Sequence, residues 1–254
     1  MRIWNYHIRI CLNLKYTLVN KHICVFICYN NFEHIVECFE SVKNLPLDFF
    51  IVENFSENSD KIESYFKKQN LIGHIRFEKN ITNNSVDIIK KDYENLFETY
   101  EYITFSDCDL LVTNSKLLLD EIYLILDYED VGVCASSLCL DNLPNVPGSN
   151  GWIPAPISIH EDYINTNTGV HFITIKQKNY KIIKNIKFLD SLMCSEMRSK
   201  DLKWVATKKN NVKHLTWDLY QVDNEYHNFK LNRAHNLWTH NEVSEYIVLT
   251  YKNK

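Results

Sequence analysis

Residues 23–43 read ICVFICYNNFEHIVECFESVK, and the fold follows from how this stretch is parsed. ICVFI is a short unbroken apolar run, the pattern of a strand covered on both faces, and it stops at Tyr29, Asn30 and Asn31. Across residues 32–43, Phe32, Ile35, Val36, Phe39 and Val42 recur at helical spacing, with Asn31 standing where an N-cap belongs. A buried strand running straight into an amphipathic helix is one βα unit, and the unit repeats downstream. Residues 49–52 are strand-like, 53–58 form a polar turn, and 60–69 place Ile62, Tyr65 and Phe66 on one helical face. A third strand is expected at 75–77, a polar loop at 80–85 and a third helix at 86–97. Residues 102–105 then supply a fourth strand that ends in Ser106-Asp107-Cys108-Asp109. Strands alternating with helices predict an α/β chain with a parallel, Rossmann-like sheet flanked by helices.

Further along the pattern loosens. A helix is expected over 115–128, a strand over 131–136, and a loop rich in Pro, Gly and Asn over 143–156. TGVHFITI (168–175) alternates like a strand, 190–199 reads as a helix, and 212–220 carries the compact group His214-Leu215-Thr216-Trp217-Asp218.

Composition narrows the function classes. With 254 residues, 45% hydrophobic and 24% charged, the chain can bury a sizeable core as one domain, or one domain with a subdomain. A formal charge of -4 gives no general attraction for phosphates, so no nucleic acid partner is expected. Eight cysteines without CxxC spacing make neither a disulfide scaffold nor a zinc site, and they read as small buried residues in a reducing compartment. Residues 1–22 are basic throughout, without the apolar core or cleavage pattern of a signal peptide, and no stretch reaches the ~18 consecutive apolar residues that span a bilayer. The expectation is a cytoplasmic protein without a transmembrane segment, with peripheral membrane contact left open.

The chemistry-bearing residues collect at strand ends. Ligands of open parallel sheets bind beyond the carboxyl ends of the strands, where Tyr29, Asn30, Glu53, Asp107 and Asp109 all fall. Two carboxylates at i and i+2 in a turn can approach a hard divalent cation that also holds diphosphate oxygens.

The segments ICVFICYNN (23–31), FIVENFSEN (50–58) and YITFSDCDLLV (102–112) resemble the first strand, second strand and DxD motif of family 2-like glycosyltransferases with the GT-A fold. The resemblance spans roughly residues 23–112 and implies a GT-A fold with a smaller acceptor-side subdomain. It implies Mn2+ or Mg2+ as cofactor and a UDP- or GDP-linked sugar as donor, with nucleotide contact by Tyr29, Asn30 and Glu53. Asp107 would meet ribose or metal, and Asp109 the metal directly. The sequence departs from the family pattern at two positions: Glu53 stands where an Asp is usual, and Cys28 breaks the usual Pro-Thr-Tyr-Asn pattern. More loosely, FLDSLMCSEM (188–197) and KHLTWDLY (213–220) resemble the helix bearing a catalytic acid and a downstream His near the metal. Asp190 is then the candidate general base in an inverting transfer to a glycan or lipid-linked hydroxyl, and His214 a third metal ligand. On this division 1–22 is an N-terminal extension, 23–142 the nucleotide-sugar half, and 143–254 the acceptor and catalytic half of the same domain.

Each assignment has a plainer counterpart. Glu53 could cap a helix, Tyr29 could be packing, Asp190 could be an N-cap, and His214 could simply sit beside Trp217. Trp152, Glu161 and Asp162 are acceptor-side candidates, set against a loop anchor and a solvated turn. Among rival classes, a haloacid-dehalogenase-type phosphatase carries DxDx[TV], but here Leu111 fills the Thr/Val position. A nucleotidyltransferase commonly begins with a Gly-rich loop, and residues 23–34 contain no Gly. A GT-A-like module that binds a glycan or partner without turnover is the non-enzyme alternative.

Overall fold

The computed structural model describes residues 21–146, 149, 153–167, 169, 171–222 and 245–249. The expected βα units are present: β1 (His22–Cys28), α1 (Phe32–Val42), β2 (Asp48–Asn54), α2 (Ser59–Phe66), β3 (Gly73–Phe77), α3 (Asn84–Asp92), α4 (Glu94–Phe97) and β4 (Tyr102–Asp107). Then come β5 (Leu110–Leu111), α5 (Ser115–Leu126), β6 (Val131–Leu138), β7 (Pro156–Ile159), β8 (Tyr163–Thr166), β9 (Ile173–Lys176), α6 (Gln177–Ile183) and α7 (Asp190–Arg198). A long β10 (Lys203–His214), a 3-10 turn (Leu215–Asp218), α8 (Leu219–Val222) and β11 (Tyr246–Val248) complete the described chain.

All strands join one sheet in the order β11-β3-β2-β1-β4-β9-β6-β10-β8-β7, with β5 attached to β10. Strands β3, β2, β1 and β4 form the parallel block that the repeated βα units predict. Beyond it β9 runs antiparallel between β4 and β6, and β10 returns parallel to β6. The alternation along β1 sends Cys24, Phe26 and Cys28 to one face, against α1, α2 and α5, while Ile23 and Val25 face the other, against α3, α4, α6 and α7. Both faces are covered, so β1 reads as a continuous apolar run.

Several local expectations are corrected. Asn31 occupies the N-cap position of α1 but in the left-handed region, with no side-chain cap bond; its carbonyl accepts from Ile35 N–H instead. The helix expected over 86–97 begins at Asn84 and breaks at Tyr93 into α3 and α4. Of the strand expected over 168–175, Thr168 and Val170 lie outside the described residues, and the described part forms β9 after a turn at Phe172, φ 48°. No helix among the described residues is long and apolar enough to cross a membrane.

Candidate functional site

Strand period fixes the directions of the DxD turn. Cys108 and Leu110 point into the core, whereas Asp107 and Asp109 emerge together, with side chains 39% and 18% exposed. The register Ile27↔Asp107 continues to set Cys28 beside Cys108, and burial, helped by that neighbouring thiol, pushes the Cys28 thiol well above its usual range. Cys38 from α1 donates to the Asp107 carbonyl at 3.7 Å, and burial raises its thiol likewise. These thiols pack the back of the turn and are inert, as buried apolar cysteines are.

Asp109 meets the far end of the chain because β5 pairs antiparallel with β10, His214 opposite Leu110, and Leu215 N–H donates to the Asp109 carbonyl at 2.7 Å. The Thr216 hydroxyl donates to Asp109 Oδ2 at 2.7 Å and lies 3.0 Å from His214 Nδ1. Its single proton being committed to the carboxylate, the hydroxyl accepts from His214 Nδ1–H, and in the neutral ring the lone pair is then on Nε2. The ring plane is set by Trp217, stacked at 5.1 Å and 1°.

Asp107 has a partner that the sequence did not announce. His171 Nδ1 lies 3.2 Å from Asp107 Oδ2, and the His171 ring meets His214 edge-on at 5.3 Å. Burial works against a charged His171, but the hydrogen bond to Asp107 and the charges of Asp107, Asp109 and Asp190 outweigh it and hold its pKa above the ordinary value. Asp190, half-buried in the first turn of α7, thus acts on the same group as the two motif carboxylates. The only signal for His171 was one imidazole inside the alternating run TGVHFITI.

The other predicted residues divide. Tyr29 and Asn30 are half-buried at the end of β1, and Asn30, at φ 49°, accepts from Glu57 N–H at 3.0 Å while its own N–H donates to Ser56 at 2.8 Å. The turns after β1 and β2 are therefore stitched together. Glu53 departs from the expectation of donor contact: it is 0% exposed, takes the Ser59 hydroxyl on Oε1, and sits 3.6 Å from His74 Nε2. It lies on the face of β2 that carries Phe49 and Ile51, so its side chain enters the layer beneath α2. What the β2 end does present is Phe55, 50% exposed at φ 39°, beside a depression of about 390 Å³ also lined by Ser59, Arg76 and Ile247. Glu161 and Asp162 are held elsewhere, where Tyr128 donates to Asp162 at 2.5 Å and Lys208 donates to the Glu161 carbonyl at 3.2 Å. They sit in the turn between β7 and β8, which β9, β6 and β10 separate from β4 in the sheet. Trp152 lies outside the described residues.

Carboxylate oxygens from Asp107 and Asp109 and an imidazole nitrogen from His214 are donors that suit a divalent cation. Among the described residues no group of three or more His, Cys, Asp or Glu side chains is gathered to hold one. Cations that bridge a protein and a diphosphate need no such cage, since one or two carboxylates plus phosphate oxygens suffice.

No family model matches the chain. Two uncharacterised proteins of Acanthamoeba polyphaga mimivirus are each 28% identical to it, one over 240 residues (86% of this chain, 48% of the relative) and one over 250 (90% and 34%). The chain therefore spans about half the length of the first and about a third of the second. Among solved structures, it is similar to a mannosyltransferase from Pyrobaculum calidifontis in complex with GDP-Man and Mn2+, with TM-score 0.59, 12% identity and coverage of 87% of this chain and 63% of that one. S. aureus TarS in complex with UDP-GlcNAc gives TM-score 0.54, 16% identity and coverage of 76% and 58%. The chain has the mixed α/β, GT-A-like fold of these nucleotide-sugar proteins.

Proposed function

We propose that the chain is a metal-dependent glycosyltransferase that moves a sugar from a UDP- or GDP-linked donor to a hydroxyl of a glycan or lipid-linked acceptor, with inversion. The observation that carries this is the meeting, at the carboxyl end of β4, of Asp107, Asp109, His171 and His214 with the charge of Asp190. The fold adds support, because the similar structures hold GDP-Man with Mn2+ and UDP-GlcNAc. Asp109, with Asp107 and His214, would hold Mn2+ or Mg2+, which supplies positive charge to the departing diphosphate. Tyr29 and Asn30 line the nucleotide side, and Glu53 serves it indirectly by fixing Ser59 at the start of α2. Asp190 takes the proton from the attacking hydroxyl. Residues 23–142 receive the donor and 143–254 the acceptor.

The test is titration of UDP and GDP with and without Mn2+. Binding is expected only with the metal, and Asp109→Ala should weaken it by more than about tenfold, the scale on which metal-site changes act. Nucleotide binding indifferent to both the metal and the substitution would sink the proposal.

A further inference from the structure

His171 is held more firmly than packing alone requires. Its carbonyl takes two hydrogen bonds from Ser136, one from the backbone N–H at 3.1 Å and one from the hydroxyl at 2.9 Å. The next residue, Phe172, is bulky yet sits at φ 48°, a conformation costing of order 1–3 kcal/mol that persists only where its surroundings enforce it. Here they do, since Phe172 is 1% exposed in the core between the sheet and α1, α2 and α5. The imidazole itself is fixed by Asp107 at 3.2 Å and by the His214 edge at 5.3 Å, while keeping 20% of its side chain exposed. A strained, doubly anchored backbone carrying a part-exposed ring orients that ring toward something.

We propose that His171 is a positioning residue of the donor site, an inference that rests on the glycosyltransferase reading above. Its Nδ1–H holds Oδ2 of Asp107, so the other carboxylate oxygen is the one that meets the incoming nucleotide or its cation. Asp107 stands at a strand end with its side chain 39% exposed, and without His171 its carboxylate would rotate about both side-chain torsions. Fixing it beforehand removes that ordering cost from donor binding. His171 acts through Asp107 and touches no reacting atom.

The geometry dictates the test. The amide nitrogen of Asn branches from the same carbon as Nδ1, whereas that of Gln lies one bond further out, nearer the place of Nε2. Wild type, His171→Ala, His171→Asn and His171→Gln are titrated with UDP and with GDP in Mn2+, and their thermal unfolding is recorded without nucleotide. Loss of one hydrogen bond to a carboxylate predicts about tenfold weaker nucleotide binding for Ala. Asn should restore most of the affinity and Gln should not, with the unliganded unfolding midpoint of the Asn variant unchanged. Wild-type affinity in the Ala variant, or Asn no better than Gln, would overturn the inference. So would failure of all three variants to fold, since the pair would then serve the fold and not the ligand. If wild type binds neither nucleotide, the donor reading fails and this inference with it; if wild type binds and the variants match it, this inference alone fails.

Discussion

Asp190 sits in the first turn of α7, where its Oδ1 accepts from Ser191 N–H at 2.8 Å. An Asn side chain keeps a carbonyl oxygen for that bond, so Asp190→Asn preserves the helix start and removes only the capacity to take a proton. Turnover is expected to fall by about 10²–10⁴-fold, the usual contribution of a general base, with UDP or GDP affinity unchanged; steady-state kinetics beside a binding titration checks this. Loss of nucleotide affinity in that variant would make Asp190 structural. At this scale the sequence was partly transparent. Asp107 and Asp109 were legible because a buried strand leads into them and period two aims both the same way. Glu53 shared their place at a strand end, but it lies on the face of β2 that carries Phe49 and Ile51, and its side chain turned inward to Ser59. His171 was hidden because its partner Asp107 lies 64 residues away, and because a run of alternating residues does not disclose the turn at Phe172 that follows it.

Among the elements, β10 shows what local pattern misses. The run KKNN (208–211) interrupts its alternation, and the structure answers with a register shift between Ala206 and Asn211 against β6. The bulge closes on Glu121 of α5, whose carboxylate accepts from the backbone N–H groups of Lys208, Lys209 and Asn210 at 2.7, 2.8 and 2.8 Å. Nothing in the sequence of α5 pairs Glu121 with residues almost ninety positions later, and the strand of twelve residues was not anticipated. By contrast β1 to β3 were readable because the next element after each is a helix, and β4 because its apolar run ends in the DxD turn. Glu121→Ala strands these three backbone donors and the Asn210 side-chain amide, and should destabilise the fold by about 3 kcal/mol. Hydrogen exchange should localise the loosening to 207–211, and because the same strand delivers His214 to Asp109, Mn2+-dependent nucleotide binding should weaken with it. Unaltered exchange at those amides would refute this coupling.

At the level of the whole molecule, the seam between the parallel block and β9 carries a buried polar chain. His22 Nε2 lies 2.6 Å from Thr104 Oγ1, Thr104 lies 2.7 Å from Thr174 Oγ1, and His22 Nδ1 lies 2.8 Å from the Tyr123 hydroxyl, tying β1, β4, β9 and α5. Burial lowers the His22 pKa from 6.5 to about 3. The unfolded chain therefore takes up a proton near pH 6.5 that the folded chain refuses until about pH 3. The stability due to this neutral ring is complete above pH 6.5 and is lost as pH falls toward 3, by about 1.4 kcal/mol per pH unit for this group. Urea unfolding at pH 7, 6, 5 and 4 should show that slope in wild type and a shallower one in His22→Gln; equal slopes would contradict it.

The insertion of β9 between β4 and β6 also sets a timetable for biosynthesis. A ribosome emits β1 to β4 in order, and their parallel pairing can begin as soon as they emerge. The DxD turn, however, waits 64 residues for His171 and 107 for Thr216 before its side chains find their partners. A nascent chain arrested ahead of β10 would carry the motif and much of the sheet with no finished crevice around them. Ligand competence would then arrive late and all at once, as the last long-range contacts close.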